Sequence, residues 1–413
     1  MAMATPEMAP EAQPEGQRFK LRFPQTEAVA AAMALEAPGA GRKLLSNTRR
    51  RFVALEFPPD LDSGQILERS EIYQREFGAM LVPDFQYDLE PNEIDFEFFT
   101  ESIETDASLD DVVDAVRAPQ AWEKTRGADV TIAVVDTGVS GARPEFPNSK
   151  RKGSWQIEGD TPWTDWEGHG SMCACIAAGT RDSGGSFDGI APDAGLIACK
   201  TRFYDSELAN IYDYLADLKA EGVKIVASNS FGMKRGTPPD PDPDSDFLPA
   251  LDRAISEGIP VIFSAGNNHQ RAGGHPDECE PNSVWLYKSR ADLMAVATCD
   301  LQNRMWFYSS RGPGQFFGQP NTNRKPDVTA PTPRNGRVVY GDDVRSLANG
   351  WGTSGACPQV AGLAALLLSA QPALTADDIF NIIRGTAVDI GHGEHCQGHG
   401  RIDCERAVLQ AVS

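Results

Sequence analysis

The chain has 413 residues, of which 41% are hydrophobic and 23% are charged, and its formal net charge at pH 7 is −21. A chain of this length can form one large domain and a smaller one, because single hydrophobic cores stop growing near ~250–300 residues. The negative charge argues against nucleic acid or an anionic membrane surface as a partner, and no uninterrupted apolar run reaches the ~18–20 residues of a membrane span.

Residues 1–16 are rich in alanine, proline and glutamate. This composition predicts a disordered N-terminus. The segment has no basic start followed by an apolar stretch, so it does not resemble a secretory signal. We therefore expect a cytoplasmic protein whose eight cysteines stay reduced rather than forming a disulfide framework, with export by a route without a signal peptide left open.

Residues 17–90 alternate between strand-like and helix-like patterns. Strands are predicted at residues 19–23, 51–57 and 79–89, and helices at residues 26–36 and 66–77. This order is that of a small α+β unit of the split-βαβ kind. The pattern alone does not exclude an N-terminal binding module that is unrelated to the rest of the chain.

The segment that follows is strongly acidic. Residues 88–111 contain ten Asp or Glu and no Lys or Arg. Repulsion between like charges keeps such a stretch extended, which predicts a linker over residues 91–111. Phe96, Phe98 and Phe99 are the apolar exceptions, and they allow the linker to dock on a neighbouring domain.

From residue 112 to residue 413, short β-branched or apolar runs alternate with helical stretches. The runs lie at residues 130–135, 196–200, 224–228, 261–264 and 294–298, and helical stretches at residues 208–220, 249–257 and 358–370. Strands separated by helices indicate a parallel sheet that is covered on both faces. The predicted fold is a three-layer α/β domain with a mainly parallel sheet, preceded by the small α+β unit.

Three glycine-flanked polar residues occur in the order Asp, His, Ser. Asp136 ends an apolar run, at the end of a strand where open α/β sheets place their sites. His169 lies in Gly168-His169-Gly170-Ser171, and Ser354 lies in Gly352-Thr353-Ser354-Gly355. A hydroxyl becomes a good nucleophile when an imidazole takes its proton and a carboxylate orients the imidazole. Asp, His, Ser is one of three chain orders known for this constellation.

On these motifs, residues 112–410 resemble the subtilisin-like serine proteases, the subtilase family. The resemblance implies a serine endopeptidase that hydrolyses peptide bonds through an acyl-enzyme. Ser354 would attack the carbonyl, His169 would act as base and then as acid, and Asp136 would orient His169. Asn267, which follows Ala265-Gly266, would donate its amide to the oxyanion together with the backbone N–H of Ser354.

The resemblance also predicts the walls of a substrate cleft. Ser230, Phe231 and Gly232 would form one wall, and Ser264, Ala265 and Gly266 the other. The sequence departs from the family pattern in the serine motif, where the family has Met at the place of Gly355, Ser or Thr at Cys357, and His at Gln359. None of these departures replaces a triad atom, but they put local packing and rate in doubt.

By the same resemblance, residues 17–90 look like an inhibitory prodomain whose last strand, at residues 80–87, would lie in the cleft. The protein would then be made as an autoprocessed zymogen, with maturation cleavage in the linker at residues 91–111. Its partners would be a peptide or protein substrate and its own prodomain. Calcium is the ion that the family leads us to expect, and no other cofactor is implied.

Two constellations have more than one interpretation. Residues 240–246 carry four aspartates and follow the first cleft wall. Kexin-like enzymes have an acidic loop in a comparable place, and this resemblance implies a preference for basic substrate residues; a solvated or calcium-binding surface loop is the alternative. His392, His395, Cys396, His399 and Cys404 have the ligand types and close spacing of a zinc cluster. The last two already belong to a closing motif of the family, and we assign no metal ligand to the five.

Two other functions compete with proteolysis. Some relatives pass the acyl group to an amine and act as peptide ligases or macrocyclases, but the sequence shows no inserted helices that would shield the intermediate from water. The other alternative is a non-catalytic peptide-binding scaffold, against which the intact Asp136, His169, Ser354 and Asn267 argue. Mass spectrometry of the products separates hydrolysis from ligation, and labelling with a fluorophosphonate separates an enzyme from a scaffold.

Overall fold

The computed structural model of the protein describes residues 17–29, 42–89, 107–233, 237, 240, 242–316, 319–320 and 323–413. The predicted disorder at residues 1–16 and most of the predicted linker and of the helix at residues 26–36 lie outside these ranges. The chain divides into two compact units between Phe85 and Gln86. Each unit has a hydrophobic core of its own.

Within its described residues, the first unit contains a four-stranded antiparallel sheet, one complete helix and a helical stretch at residues 26–29. Its elements are β1 (Gln17–Arg22), β2 (Arg42–Asn47), β3 (Phe52–Phe57), α1 (Ser63–Phe77) and β4 (Met80–Pro83). The strand order is β2-β3-β1-β4. Apolar side chains from β1 and β3 pack with Tyr73 of α1. Asp62 caps the helix by accepting from the backbone N–H of Gln65, which satisfies one of the unpaired N–H groups of the first turn.

The prediction for this unit is confirmed in its class and wrong in some elements. The strands near residues 19–23 and 51–57 and the helix near residues 66–77 are present. The strand predicted at residues 79–89 is broken, because β4 ends at Pro83 and the chain pairs again at Gln86 and at residues 88–89, with other partners. Strand β2 was not predicted, because its apolar run is only Leu44-Leu45 and is preceded by the charged residues Arg42 and Lys43.

The second unit is built on a parallel sheet and several short antiparallel pairs. Its strands are β5 (Asp88–Leu89), β6 (Ala107–Ser108), β7 (Thr131–Asp136), β8 (Arg151–Trp155), β9 (Gly195–Lys200), β10 (Ile225–Asn229), β11 (Phe231–Gly232), β12 (Val261–Ser264), β13 (Met294–Cys299), β14 (Gln315–Phe316), β15 (Gln319–Pro320), β16 (Val328–Pro331), β17 (Asn335–Tyr340) and β18 (Asp343–Ala348). Seven of them form one sheet in the order β16-β13-β12-β10-β7-β9-β8. Every pairing in this sheet is parallel, as predicted.

Helices flank this sheet and complete a three-layer α/β architecture. They are α2 (Leu109–Ala115), α3 (Ala118–Ala121), α4 (His169–Ala178), α5 (Asp205–Ala220), α6 (Phe247–Ser256), α7 (Gly352–Ala370), α8 (Ala376–Thr386), α9 (Glu394–Gln397) and α10 (Cys404–Ala411). Two 3₁₀ turns lie at Asn148–Lys150 and Leu286–Ser289. Helices α4 and α7 pack against each other and against the central strands.

Helix α7 is the central helix of the core. It has 19 residues and is apolar enough by length and composition to cross a membrane, but 89% of its most apolar window is buried inside the protein. The sequence predicted most of this helix, at residues 358–370, but the search for uninterrupted apolar runs did not identify it as a candidate membrane span. Its apolar character reflects burial between the sheet and α4, as expected for a helix that is hydrophobic all round.

The carboxyl ends of the parallel strands meet at one edge of the sheet, which is where α/β folds place their sites. Strand β7 ends at Asp136, β10 ends at Asn229, and β12 ends at Ser264. The loops that leave these ends carry the predicted site residues. The sheet therefore gathers residues that lie more than a hundred positions apart in sequence.

Candidate active site

Asp136 and His169 form a buried pair at the end of β7. Nδ1 of His169 lies 2.8 Å from Oδ1 of Asp136, and the same oxygen accepts from the backbone N–H of Thr137 at 2.8 Å. Asp136 is 1% exposed. A carboxylate in this position holds the imidazole in one orientation and stabilises its protonated form.

The pair shifts the pKa of His169. Burial by itself lowers this pKa, because it disfavours the charged ring, but the adjacent Asp136 carboxylate raises it through charge and a hydrogen bond. The net pKa lies well above the ordinary histidine value. His169 is therefore a stronger base than a free imidazole, and its neutral form predominates only at higher pH.

Asp165 joins the end of β7 to the first turn of α4. Its Oδ1 accepts from the Thr137 hydroxyl and from the Gly168 N–H, both at 2.7 Å. Its Oδ2 accepts from the N–H and the hydroxyl of Ser171, at 2.8 and 2.6 Å. A carboxylate at a helix N-terminus satisfies N–H groups that have no partner in the helix. Asp165 thus fixes the backbone on both sides of His169, a role that the sequence analysis missed.

Ser354 lies in the first turn of α7, where unpaired N–H groups and the helix dipole favour negative charge. Its hydroxyl is 3.5 Å from the carbonyl oxygen of Ser230, and its own carbonyl accepts from the Ser230 hydroxyl at 3.1 Å. Among the described residues, Ser354 forms no hydrogen bond with His169. Bonds between a nucleophile and its base are often long before substrate binds.

Cys173 lies one turn beyond His169 on α4. Its Sγ is 3.8 Å from Nδ1 of His169 and 3.6 Å from the carbonyl oxygen of Ser354. Burial raises the pKa of this thiol to about 11, so it is protonated at neutral pH. Cys173 therefore packs between His169 and the serine motif, with its thiol in the form that is the weaker nucleophile.

Asn267 is held by Thr353, the residue before the serine. Oδ1 of Asn267 accepts from the N–H and the hydroxyl of Thr353, at 3.0 and 2.9 Å. The Thr353 hydroxyl oxygen also accepts from the N–H of Gly266 at 3.2 Å. Because the amide oxygen is engaged on one side, the NH₂ group is directed to the other side. Thr353 was not singled out from the sequence, although it lies inside the serine motif.

The predicted cleft walls lie on both sides of the serine motif. Gly232 and Ala265 line a common pocket, whereas Phe231 and Ser264 are fully buried. Ser230 and Gly266 contact the serine motif through the bonds already given. The six wall residues are therefore brought to one place, but only part of them offer side-chain or backbone surface to a ligand.

One wall already holds a strand of the chain itself. Strand β5 pairs antiparallel with β11, with Asp88 opposite Gly232 and Leu89 opposite Phe231. On the other side, the side-chain amide of Gln86 donates to the carbonyl of Arg202 at 2.9 Å, and the backbone N–H of Tyr87 donates to the carbonyl of Phe203 at 2.8 Å. Residues 86–89 thus lie between two backbone segments, as a bound extended peptide does in β-augmentation.

Comparison with known proteins agrees with this geometry. The sequence model of the Subtilase family matches residues 127–400, which is more than half of the chain. The chain belongs to the subtilase family. It is an enzyme of the subtilisin-like serine protease class, as the resemblance predicted.

Individual relatives of this subtilase support the assignment. Thermitase from Thermoactinomyces vulgaris is 30% identical over 302 residues, which cover 71% of this chain and 93% of thermitase. The calcium-dependent protease of Nostoc sp. is 29% identical and covers 71% of this chain and 48% of that protein. Fervidolysin from Fervidobacterium pennivorans, a keratinolytic enzyme related to subtilisin, shares the fold with a TM-score of 0.62 and 20% identity, over 98% of this chain and 62% of fervidolysin.

The departures of this subtilase from the family pattern have structural reasons. A Cβ at Gly355 would lie 2.5 Å from Cβ and 3.3 Å from Cε3 of the buried Trp351, so a larger residue at this position would require Trp351 to shift. Sγ of Cys357 lies 3.5 Å from the carbonyls of Asn229 and Ile262. Gln359 donates to the carbonyl of Gly355 at 2.9 Å. Cys357 and Gln359 are thus buried and hydrogen-bonded within the first turns of α7, next to Ser354.

The expectation of reduced cysteines is wrong for one pair. Cys279 and Cys396 form a disulfide across 117 positions, a pairing that no local pattern could reveal. Cys173, Cys175, Cys199, Cys299, Cys357 and Cys404 are free and buried. The cytoplasmic location stays a prediction.

The disulfide also argues against the zinc-like cluster near the C-terminus. Sγ of Cys396 is bonded to sulfur, and the ring of His392 is engaged with the carbonyl of Asn303 at 2.9 Å. Within the described ranges, the one group of three His, Cys or carboxylate side chains with ligand atoms close enough for a metal is Asp136, His169 and Cys173. Two of these three donors, the His169 nitrogen and the Cys173 sulfur, do not suit calcium, which takes oxygen ligands. We therefore assign no calcium ligand and derive no catalytic step from calcium.

The aspartate-rich loop at residues 240–246 packs beside Tyr87. The Ser245 hydroxyl donates to Oδ2 of Asp205 at 2.6 Å, and the Asp246 N–H donates to Oδ1 of Asp205 at 2.8 Å. Burial raises the pKa of Tyr87 well above its usual value, and the charges of Asp205 and Asp242 raise it further. The negative charge of Asp242 in this loop therefore acts on the hydroxyl of Tyr87 and disfavours its ionised form.

Proposed function

We propose that this subtilase is an endopeptidase that cleaves peptide bonds through an acyl-enzyme formed on Ser354. The observation that carries the proposal is the buried 2.8 Å contact between Nδ1 of His169 and Oδ1 of Asp136, on the helix that packs against the Ser354 helix. This contact leaves Nε2 of His169 as the ring nitrogen that can exchange a proton with substrate and nucleophile.

In the first half-reaction, Oγ of Ser354 attacks the substrate carbonyl carbon while Nε2 of His169 takes the hydroxyl proton. The carbonyl oxygen becomes an oxyanion, which the amide of Asn267 and the backbone N–H of Ser354 stabilise by hydrogen bonds. His169 then gives its proton to the leaving amine, and the peptide bond breaks. A water molecule repeats the sequence on the acyl-enzyme and releases the acid product.

The direct test is labelling with a fluorophosphonate, which reacts with activated serine hydroxyls. The protein should be labelled at Ser354 and should hydrolyse a peptide substrate, and Ser354→Ala should lose both properties. Ser183→Ala changes an exposed serine and serves as the matched control. If the wild-type protein is neither labelled nor active after any processing, the proposal is wrong.

The chain also carries the features of a zymogen. The extended segment 86–89 lies on β11, the strand that immediately follows Ser230, and Tyr87 is 5% exposed. Its ring packs edge-on against Phe231, Phe247 and Tyr287. A substrate strand that used the same backbone groups would have to displace it. This arrangement supports the assignment of residues 17–90 as an inhibitory prodomain.

Processing of the purified protein tests the zymogen assignment. The wild-type chain should shorten during expression and acquire a new N-terminus within residues 91–111, whereas Ser354→Ala should stay at full length. N-terminal sequencing and intact-mass measurement give the cleavage site. A wild-type chain that is unprocessed and fully active would refute the assignment.

A further inference from the structure

The loop at residues 266–269, which carries Asn267, is held on both sides of this residue by Ser310. The backbone N–H of Ser310 donates to the carbonyl of Gly266 at 2.8 Å. Its hydroxyl oxygen accepts from the backbone N–H of Asn268 at 3.2 Å. Ser310 is fully buried. The next residue of the chain, Arg311, therefore begins directly beside the loop that supplies the oxyanion donor.

Arg311 is a fully buried cation without a carboxylate beside it. Nη2 donates to the carbonyl of Trp306 at 3.2 Å, whereas Nε and Nη1 have no hydrogen-bond partner among the described residues. Burial alone lowers the pKa of this guanidinium, to about 10, so it stays charged at neutral pH. Lys325 is equally buried but forms a 2.6 Å ion pair with Asp327. Because buried charges are almost always paired, Arg311 is an exception that calls for a role.

The charge of Arg311 acts on the loop that carries Asn267. His269, two residues after Asn267, is fully buried. Burial, and next the charge of Arg311, lower the pKa of His269 to about 4, so this ring is neutral at neutral pH. Arg271 is a second cation at the loop, with Nη1 3.4 Å from the carbonyl oxygen of Asn267, but it is only half-buried. Since solvent screens exposed charges more than buried ones, the field of Arg311 is the less weakened of the two.

A fixed charge behind the loop affects the transition state more than the bound substrate. When Ser354 attacks, the carbonyl oxygen of the substrate becomes negative beside the amide of Asn267. At an effective dielectric constant of about 20, two unit charges ~10 Å apart change an equilibrium constant by roughly tenfold. The neutral carbonyl of the bound substrate gains little from the same field. The benefit therefore falls on kcat and not on KM.

From the burial of Arg311, the lack of a carboxylate beside it and its link to the loop through Ser310, we propose that its charge stabilises the oxyanion of the transition state. Arg311 touches neither the substrate nor the reacting atoms and acts on them through its electric field. The inference rests on the proposed function, because it concerns the oxyanion that forms when Ser354 attacks.

Substitutions of Arg311 separate its charge from its hydrogen bond. Arg311→Met removes both, Arg311→Gln keeps a donor for the carbonyl of Trp306, and Arg311→Lys keeps a charge. The probe is a fluorogenic peptide amide that the purified wild-type protein cleaves at pH 7. With this probe, the Met and Gln variants should lose roughly tenfold in kcat at nearly constant KM, and the Lys variant should stay within about threefold of wild type. Arg406→Met removes a cation at an exposed position of α10 and should leave kcat unchanged.

A double-mutant cycle with Asn267→Ala separates the field from a mechanical role. The backbone N–H of Ser354 still binds the oxyanion in Asn267→Ala, so a field should still act on it. Arg311→Gln should therefore lower kcat by the same factor in the wild-type and Asn267→Ala backgrounds. If Arg311 served only to hold Asn267, this second loss should vanish. Labelling with a fluorophosphonate shows that the active site of each variant is assembled, and if Arg311→Met does not fold, Arg311→Gln takes its place.

The outcomes separate this inference from the proposed function. A labelled Arg311→Gln protein with the kcat of wild type would overturn the role of Arg311 and leave the endopeptidase intact. A loss in Arg311→Lys as large as in Arg311→Gln would assign the effect to packing, and a loss that vanishes in the Asn267→Ala background would assign it to support of Asn267; either result would overturn the field. Wild-type protein that neither reacts with fluorophosphonate nor cleaves peptides would instead overturn the proposed function.

Discussion

At the scale of single residues, the roles that we propose for His169 and Asp136 predict the pH dependence of activity. The reaction needs neutral His169, and Asp136 raises the pKa of this ring well above the ordinary value. The neutral form is populated above that pKa and lost below it. The kcat/KM of wild-type enzyme should therefore rise with pH, over a range that lies above the titration range of an ordinary histidine.

Replacing the carboxylate tests this relation. Asp136→Asn should lower kcat by about 10⁴-fold, because the imidazole loses its orientation. Its remaining activity should reach a plateau at lower pH than in wild type, because the charge that raises the pKa of His169 is gone. A pH series of kcat/KM measures both effects, with the exposed Asp377→Asn as control. An unchanged acid limb would contradict the assigned role of Asp136.

Thr353 acts through Asn267 and not on substrate. Thr353→Val should remove the hydroxyl that holds the Asn267 amide and lower kcat by more than it changes KM, whereas Thr353→Ser should restore the rate. Asn267→Ala should cost about 10²–10³ in kcat. In the Asn267→Ala background, Thr353→Val should have little further effect, because its partner is already absent. Additive losses in this double-mutant cycle would show that Thr353 acts independently.

At the scale of elements, the first turn of α7 depends on close packing of Gly355 against Trp351. Trp351 is fully buried, and its Cβ lies 2.5 Å from the place where a Cβ at position 355 would stand. A larger residue at position 355 would therefore require Trp351 to shift within a packed core.

Alanine at two helical glycines tests the packing of this turn. Gly355→Ala should lower the free energy of unfolding by about 1–3 kcal/mol, as overpacking of a core does. Gly385→Ala lies in α8, where an added Cβ has no neighbour within 4 Å, and should be neutral or stabilising by about 0.5–1 kcal/mol. Urea unfolding of both variants gives the comparison. Equal effects would mean that Trp351 moves aside at little cost.

Strand β5 is short, so its hold on the cleft depends on side chains as well as on backbone pairing. Tyr87→Ala removes a ring that contacts three aromatic neighbours. The fraction of full-length chain that is not yet processed should then react with fluorophosphonate at least about tenfold faster than the same fraction of wild type, because a buried aromatic side chain contributes several kcal/mol. Met80→Ala, at an exposed position, should not change the rate. An unchanged rate in Tyr87→Ala would contradict self-inhibition by this strand.

At the scale of the whole molecule, the sequence predicted the architecture and singled out Asp136, His169 and Ser354 as candidates, because both leave local signatures. Apolar strands such as Thr131–Asp136 and glycine-flanked motifs around His169 and Ser354 are visible within a few residues. Parallel strands buried on both faces carry continuous apolar runs, so the α/β class could be recognised from the pattern alone.

What the sequence did not reveal depends on contacts between distant positions. Asp165 and Thr353 are ordinary polar residues until the fold brings their partners to them. The disulfide between Cys279 and Cys396 likewise joins positions that lie 117 residues apart. The break in the strand predicted at residues 79–89 follows from the same cause, since Tyr87 leaves the first sheet to pack in the second unit's aromatic cluster.

The position of Cys173 makes this catalytic centre open to poisoning by thiophilic cations. One donor atom each from Asp136, His169 and Cys173 lies within 4.8 Å of the others, an O, N, S set that suits zinc or mercury. Such ions would occupy the base and displace the thiol proton, so inhibition should strengthen as pH rises toward the raised pKa of Cys173. Hydrolysis should fall with added Zn²⁺ and recover with a chelator, and Cys173→Ala should resist; equal sensitivity would exclude the thiol. Trace zinc in a buffer would then lower the measured activity of the enzyme.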